Sequence, residues 1–218
     1  TPEIAAIRKV PMGKDVLSPP GHSAFSTPRE LVLFLARLRE LSGGKPVGMK
    51  LCIGKRREFL AVCKAMVETG AHPDFITVDG AEGGTGAAPL EFSNSLGTPL
   101  TEALIFVHNA LTGIGFRDRV KVLAAGKVVS GFDMARLIAI GADAVYSARA
   151  MMMAVGCIQA RRCNDNHCPV GVATQNPGLV AGLVVEDKAP RVARFQAATV
   201  RSFLELVAAA GCSHPTEL

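Results

Sequence analysis

The sequence predicts an α/β fold: a (β/α)8 TIM barrel of which only about the C-terminal half, four βα units, is present. Short apolar runs alternate with amphipathic helical segments, and no two-residue hairpin joins any two of the runs. This alternation predicts a parallel sheet with right-handed crossovers, in either a barrel or a doubly wound arrangement. The unusual residues fall at every predicted strand end, which favours the barrel, because a doubly wound sheet concentrates them at one switch point.

Each predicted strand is a short apolar run. The strands are predicted at residues 47–53, 74–79, 120–125 and 142–147. The first helix begins after Thr27, which is a suitable N-cap, has Pro28 in its first turn, and ends at Gly43-Gly44. The helices are predicted at residues 28–42, 59–69, 100–111, 133–140 and 193–210.

Length and composition indicate one domain that is too short for a whole barrel. The chain has 218 residues, of which 49% are hydrophobic, and this excludes disorder. A barrel needs about 250 residues, and the chain begins at Thr1 without Met. We therefore expect a processed or excised piece of a longer protein. In this single domain, residues 1–156 form the βα units, residues 157–176 a cysteine loop and residues 177–218 a C-terminal helical segment.

Charge and cysteine content restrict the partners and the compartment. The 24 Lys and Arg residues against 19 Asp and Glu give a net charge of +5, spread along the chain without interleaved aromatic residues. Nucleic-acid binding is therefore not expected, whereas small anions such as phosphates and carboxylates are suitable ligands. No apolar run reaches the roughly 18–20 residues of a membrane span. Six cysteines and no charged-then-apolar leader predict a reducing, cytoplasmic location.

The strongest functional signal is a polar segment with Cys157, Cys163 and Cys168 within twelve residues. Pro169 follows the last cysteine, as in ferredoxin-type ligand runs. Three thiolates favour a three-iron, four-sulfide cluster, and a fourth ligand from elsewhere would allow four irons. A zinc site completed by His167 and a set of unliganded thiols are the alternatives. The other cysteines lie among apolar residues and are predicted to fill the core: Cys52, Cys63 and Cys212.

Lys50 is the only charged residue of the predicted strand 47–53. A lysine in a buried strand is costly unless it is paired or used. In a barrel its charge would stabilise a reduced flavin or a substrate carboxylate. The alternative is a side chain that points outward between the helices.

Two neighbouring strand ends have the features of a phosphate site. Gly126-Lys127 follows the third strand, and Ser147, Ala148 and Arg149 follow the fourth and open a helix. Barrels commonly hold a phosphate at their last two strand ends through backbone N–H groups at a helix N-terminus. Lys127 and Arg149 would add positive charge.

A glycine-rich run, Asp79–Pro89, follows the second strand and has four glycines in seven residues. Glycines let the backbone approach a flat ligand closely. A mobile surface loop is the alternative, but the position at a strand end favours binding. The candidate residues of this run are Asp79, Gly83, Gly84 and Thr85.

The cysteine segment, from Gly156 through Cys157-x5-Cys163-x4-Cys168-Pro169 to Val-Gly-Val-Ala-Thr-Gln175, resembles the cluster loop of glutamate synthases. The Gly-Gly-Thr-Gly-Ala core of the glycine-rich run and residues 18–22 resemble their flavin-side segments. Residues 22–30 and 184–192 look like the stand-alone FMN-binding glutamate synthase family, which lacks the amidotransferase domain. The resemblance covers nearly the whole chain.

This resemblance implies a barrel that binds FMN and a three-iron (3Fe-4S) cluster. In the family, 2-oxoglutarate and ammonia form 2-iminoglutarate, which reduced flavin converts to L-glutamate by hydride transfer, and the cluster passes electrons to FMN. We accordingly expect 2-oxoglutarate, glutamate and ammonia as ligands, electron-donor or glutaminase partner chains, and an oligomer.

The resemblance also implies roles for individual residues. Lys50 matches the lysine near the flavin pyrimidine edge, and Arg8 resembles the arginine that binds the substrate carboxylate. The FMN phosphate loops fall at Gly126-Lys127 and at Ala148-Arg149, where the large enzymes carry Gly-Thr. The cluster ligands match Cys157, Cys163 and Cys168.

One departure from the family concerns what lies upstream. In the family, a Lys/Gly-rich segment with further substrate ligands and the early barrel strands precede the position of Thr1. This polypeptide alone is therefore expected not to complete the active site. The alternative functions are an N-methylglutamate synthase-like subunit and a catalytically incomplete iron–sulfur or electron-transfer fragment.

Overall fold

The computed structural model describes residues 1–17, 19, 21–83 and 91–218. Its strands form one sheet: β1 (Gly48–Leu51), β2 (Phe75–Asp79), β3 (Lys121–Ala125) and β4 (Ala144–Tyr146). Every neighbouring pair is parallel, and the spatial order β1-β2-β3-β4 is the order along the chain. The predicted parallel α/β fold is confirmed. The described strands follow one another without the reversal that marks the switch point of a doubly wound sheet.

All five predicted helices are present among the described residues. The helices are α1 (Pro2–Arg8), α2 (Pro28–Leu41), α3 (Arg56–Thr69), α4 (Leu100–Gly113), α5 (Gly131–Ala139), α6 (Arg149–Val155), α7 (Pro177–Val180) and α8 (Val185–Ala209). A 3₁₀ turn, Pro215–Glu217, follows. The sequence placed the start of α8 at residue 193, whereas it begins at Val185 and continues through Pro190. Charged residues and a proline are typical of a helix boundary, and here the helix runs across them. None of the helices in the described ranges is long and apolar enough to cross a membrane.

Local hydrogen bonds explain where helices α2 and α5 begin. Thr27 is the N-cap of α2: its hydroxyl accepts the Glu30 N–H at 3.2 Å, and the Glu30 carboxylate accepts the Thr27 N–H at 3.0 Å. Ser130 and Asp133 form the same reciprocal pair at the start of α5. Such capping boxes satisfy backbone N–H groups that have no partner within the helix.

The sheet has one face packed against the helices. Ile76, Val78, Val122 and Ala124 are buried and belong to a single core cluster with side chains of α3, α4 and α5. Because successive side chains of a strand point to opposite faces, the residues between them belong to the other face.

That second face carries the residues of the candidate site. The register sets Lys50 beside Thr77, Thr77 beside Leu123, and Leu123 beside Ala144. Lys50 and Ala144 are exposed, as is Tyr146, whose side chain follows on the same face. The sheet therefore has one face covered by helices and one partly open face.

Two aspartates join the amino ends of neighbouring strands by hydrogen bonds. Asp74, just before β2, accepts the Val47 N–H at 2.7 Å and pairs with Arg39 at 2.9 Å. Asp143, just before β4, accepts the Val122 N–H at 2.7 Å and pairs with Arg117 at 2.9 Å. In both cases the aspartate N–H also donates to the carbonyl of the same partner residue. This repeated arrangement fixes the register of neighbouring strands.

The bonds of Asp74 to Val47 and Arg39, and the matching bonds of Asp143, are called the aspartate clamps. The Asp74 clamp is expected to stabilise the fold in a pH-dependent way. Burial raises the pKa of Asp74, but the Val47 N–H and the Arg39 guanidinium outweigh it, so the pKa is lowered overall. A lowered folded-state pKa stabilises the protein above the unfolded value of about 3.9. That contribution is lost as the pH falls through the folded-state pKa.

Asp74→Asn is therefore expected to reduce the free energy of unfolding by about 1–2 kcal/mol at neutral pH and by less at about pH 3. Urea unfolding at both pH values measures the difference. Glu40→Gln is the matched control, since the Glu40–Arg37 pair is about two-thirds exposed, and should change stability by less than about 0.5 kcal/mol. Equal losses in the free energy of unfolding for the two variants would contradict the stabilising role of Asp74.

Candidate functional site

The carboxyl edge of the sheet brings together side chains that are distant in sequence. Lys50 Nζ lies 2.7 Å from Asp79 Oδ2, an ion pair between β1 and β2 on the open face. Met49 and Leu51, on either side of Lys50, pack against the helix core. The alternative of a Lys50 side chain between the helices is therefore wrong. The Lys50 side chain is 61% exposed, so the pair contributes little to stability and its charge is accessible to a ligand.

The first part of the glycine-rich run is held by hydrogen bonds. The Gly80 N–H donates to the Ala125 carbonyl at 2.8 Å, and the Gly83 N–H to the Asn94 side chain at 2.8 Å. The Glu82 carboxylate accepts the Leu100 N–H at 2.9 and 3.0 Å. Residues 79–83 are thus anchored to β3, to α4 and to the segment before α4. The candidate residues Gly84 and Thr85 lie outside the described residues.

The two segments predicted to hold a phosphate lie side by side. Gly126 and Lys127 both have positive φ, of 152° and 48°, and the Lys127 side chain is exposed. Ala125 pairs with Tyr146 in the sheet, and the Ser147 hydroxyl donates to the Val128 carbonyl at 2.8 Å. These bonds tie the end of β3 to the end of β4.

Helix α6 begins directly beyond this junction. Ala148 is its N-cap and has no side chain that could bond the first turn, and Arg149 is its first residue. Within the described residues the N-cap side chain makes no bond to that turn, and backbone N–H groups at the start of a helix are suited to an anionic ligand.

No side-chain hydrogen bond or ion pair links Arg8 to this edge in the described part of the chain. It is the last residue of α1 and is exposed. Helix α1 makes no extensive contact with the strands.

The three cysteines of the loop differ in exposure. Cys157 is half-buried, Cys163 is exposed and Cys168 is buried. The Cys157 sulfur accepts the Gln159 N–H at 3.4 Å. Backbone N–H groups of residues 170–173, that of Ala173 foremost, donate to the Cys168 sulfur and lower the pKa of Cys168 despite its burial. The loop therefore favours the thiolate form of Cys168.

A hydrogen-bonded clasp closes the cysteine loop. Asn166 has a φ of 65°. Its side-chain oxygen accepts the Gln175 N–H at 2.6 Å, and its carbonyl accepts the Thr174 hydroxyl at 2.7 Å. His167 Nδ1 lies 2.6 Å from the Asp165 carbonyl oxygen. Among the described residues, no three His, Cys, Asp or Glu side chains are close enough together to hold a metal ion, so the cluster ligands remain a prediction.

The prediction that Cys52 fills the core is wrong. Cys52 is exposed at the end of β1. Partial desolvation, together with the negative charges of Asp79 and Glu82, raises the pKa of Cys52 against the opposing Thr98 N–H. The error has a simple origin, because Cys52 follows Lys50 by two residues and strand alternation sets both on one face. The apolar residues next to Cys52 in the sequence therefore did not indicate that its side chain is buried.

The remaining two cysteines, Cys63 and Cys212, differ in burial. Cys63 lies in the core as predicted, and burial raises its pKa to about 11. Cys212, just beyond α8, is only half-buried, so it does not fill the core.

Two polar residues at the site were missed by the sequence analysis: Glu82 and Asn166. Their bonding partners lie 18 and up to 9 residues away. A glutamate within a glycine-rich run was a signal for Glu82, since this residue type has no role in loop flexibility.

The chain belongs to the glutamate synthase family. Residues 1–213 match the family model described as the conserved region in glutamate synthase.

Several curated proteins are similar over nearly all of this chain. The glutamate synthase large subunit-like protein YerD of Bacillus subtilis is 43% identical over 213 residues, which are 98% of this chain and 40% of that protein. The archaeal glutamate synthase (NADPH) of Methanocaldococcus jannaschii is 36% identical over 97% of this chain and 41% of its own length. The archaeal-type enzyme of Thermotoga neapolitana is 34% identical, with the same coverage. This chain thus spans about 40% of the length of these relatives.

A mandelate oxidase variant with a monooxide FMN adduct is one of the solved structures that align with this chain. It is 17% identical, with a TM-score of 0.44 over 86% of this chain and 42% of its own. A likeness this low carries no argument about the fold or the cofactor.

The exposure of the thiols predicts their order of reaction with iodoacetamide in the reduced, metal-free protein. Cys163 should react first. Cys63 should react at least about 100-fold more slowly, because it is buried and has a raised pKa. Mass spectrometry of the modified peptides over time measures both rates, and unfolding in urea should bring the two rates together. Comparable rates in the native protein would contradict the structure.

Proposed function

We propose that this chain forms the C-terminal half of a (β/α)8 barrel in a glutamate synthase that carries FMN and an iron–sulfur cluster. The enzyme makes L-glutamate by reductive amination of 2-oxoglutarate. The observation that carries the proposal is the gathering of Lys50, Asp79, Gly126-Lys127 and the start of α6 at one carboxyl edge. Barrel enzymes build their active sites at this edge.

Four features of the sheet support the half-barrel. The strands follow one another without reversal, and the core helices pack on one face. The other face is partly open, as the inner wall of an unclosed barrel would be. Each of the outer strands, β1 and β4, pairs on only one side within the described residues, and closure with further strands removes such edges.

The residues at this edge fit FMN. The Lys50 ammonium on the open face is suited to negative charge on the isoalloxazine ring, and Asp79 holds it in position. The backbone at Gly126-Lys127 and the uncapped first turn of α6 suit the phosphate, with Lys127 and Arg149 supplying charge. Gly83, Gly84 and Thr85 are proposed as cofactor-binding residues on the resemblance of the glycine-rich run alone. When bound, FMN supplies the two-electron reduction of an imine.

The substrate is a dicarboxylate and needs cationic groups. Lys50 is an accessible cation on the open face. Arg8 is proposed, on the resemblance alone, to bind a substrate carboxylate. Such binding requires α1 to lie over the carboxyl edge, and the exposed apolar residues Ile4 and Ile7 give this helix a surface that further protein could cover.

The donor chemistry of the cysteine loop fits an iron–sulfur cluster held by Cys157, Cys163 and Cys168. N–H groups already donate to the sulfurs of Cys157 and Cys168, and hydrogen bonds of this kind stabilise cluster thiolates. A cluster supplies one-electron transfer. The three-iron form follows from the number of cysteines.

Cys163→Ser in the full-length protein that contains this region is expected to remove most of the iron and the cluster's electron paramagnetic resonance signal. The fold should remain, since Cys163 is exposed. Iron analysis, visible absorption and circular dichroism of anaerobically purified protein measure these effects. Cys63→Ala is the matched control and should retain iron. A wild-type protein that contains zinc and no iron would overturn the cluster assignment.

Lys50→Ala is expected to lower kcat/KM for glutamate formation from 2-oxoglutarate by about 100-fold or more. Its effect on the unfolding temperature should be small, because the ion pair with Asp79 is exposed. Lys64→Ala is the control, since Lys64 forms an exposed pair with Glu68 on the outside of α3. Unchanged kinetics of the Lys50 variant would refute its proposed role.

A further inference from the structure

The Glu82 carboxylate lies where three elements of the candidate site meet. It accepts the Leu100 N–H with both oxygens, at 2.9 and 3.0 Å, and so bonds the first residue of α4. Pro99, the N-cap of α4, makes no side-chain bond to that turn. Glu82 therefore provides this helix with the acceptor, and the negative charge, that its own N-cap lacks.

The same carboxylate packs against the glycines at two strand ends. A Cβ on Gly80 would collide with Glu82 Oε2 and come within 2.6 Å of Leu100 Cβ. A Cβ on Gly126 would lie 3.4 Å from Glu82 Oε2 and 3.2 Å from Leu100 Cδ2. The end of β2 thus approaches the Glu82–Leu100 pair too closely for a larger residue at position 80, and the end of β3 lies in close van der Waals contact with the same pair.

The segment that precedes α4 passes over the end of β1. The Thr98 N–H donates to the Ile53 carbonyl at 2.8 Å, and the Thr98 carbonyl accepts the Ala81 N–H at 3.0 Å. Two residues later, Leu100 donates to Glu82. The Glu82 bond therefore completes a set of links that joins the carboxyl ends of β1, β2 and β3.

We propose that Glu82 is a positioning residue for the cofactor site. It acts through Leu100 and the two glycines to hold Asp79 and the backbone at Gly126-Lys127 in place for FMN. This inference rests on the proposed function, because it assigns Glu82 a part in preparing the FMN site. A backbone that is already rigid at the strand ends loses less conformational entropy when FMN binds, and binding is therefore tighter.

The test uses the full-length protein without FMN and two variants. Glu82→Ala removes the carboxylate, and Glu82→Asp keeps the charge but shortens the side chain by one methylene, so that the bond to Leu100 is lost. Both are expected to weaken FMN binding by about tenfold, measured by quenching of flavin fluorescence below the unfolding temperature. Glu82→Gln keeps one acceptor oxygen and should remain within about threefold of wild type.

Glu102→Ala is the matched control. Glu102 is also acidic and in the first turn of α4, but it is 64% exposed, and its nearest charged partner, Arg56, is 4.0 Å away. It should bind FMN like wild type. Hydrogen exchange of the FMN-free protein should be faster at Leu100 and at residues 79–83 in the Glu82→Ala and Glu82→Asp variants, and unchanged in Glu102→Ala.

The outcomes separate the two proposals. If Glu82→Asp folds and binds FMN with wild-type affinity, the inference is wrong, even if the variant melts at a lower temperature, because Glu82 is then only a helix cap. An FMN affinity that is retained in Glu82→Gln and lowered in Glu82→Asp supports the positioning role of Glu82. A wild-type protein that binds no FMN would overturn the proposed function, and the inference with it.

Discussion

Parallel pairing of four strands in chain order is the constraint on which the rest of the molecule depends. It puts the carboxyl ends of all four strands at one edge, so residues from four separate stretches of sequence meet there. Each parallel connection requires a crossover, and the crossover helices cover one face of the sheet. The opposite face is left for Lys50, Asp79 and their neighbours.

The elements of this fold were predictable because their signals are local. Short apolar runs predicted each strand that the described residues contain, and Thr27 as N-cap with Pro28 in the first turn predicted the start of α2. Cys52 shows the limit of composition as a guide. Its apolar neighbours predicted burial, whereas alternation along β1 sets it on the open face beside Lys50.

Other parts of the site depend on contacts that no local pattern encodes. The bond from Leu100 to Glu82 and the clasp between Asn166 and Gln175 form only once the chain has folded around them. The lowered pKa of Cys168 likewise arises from the backbone N–H groups of a turn that follows it. The resemblance to a family predicted the candidate residues, but the bonds that hold them in place form only in the folded chain.

The aspartate clamps at the amino ends of the strands have a consequence for how this protein can change. Asp74 and Asp143 fix the strands at the end of the sheet opposite to the candidate site. Fold maintenance and the proposed chemistry are therefore assigned to different residues at opposite ends of the same strands. Substitutions in the loops at the carboxyl edge are therefore free to change ligand binding while the aspartate bonds continue to hold the strands together. This separation makes the fold robust to mutations of the candidate site.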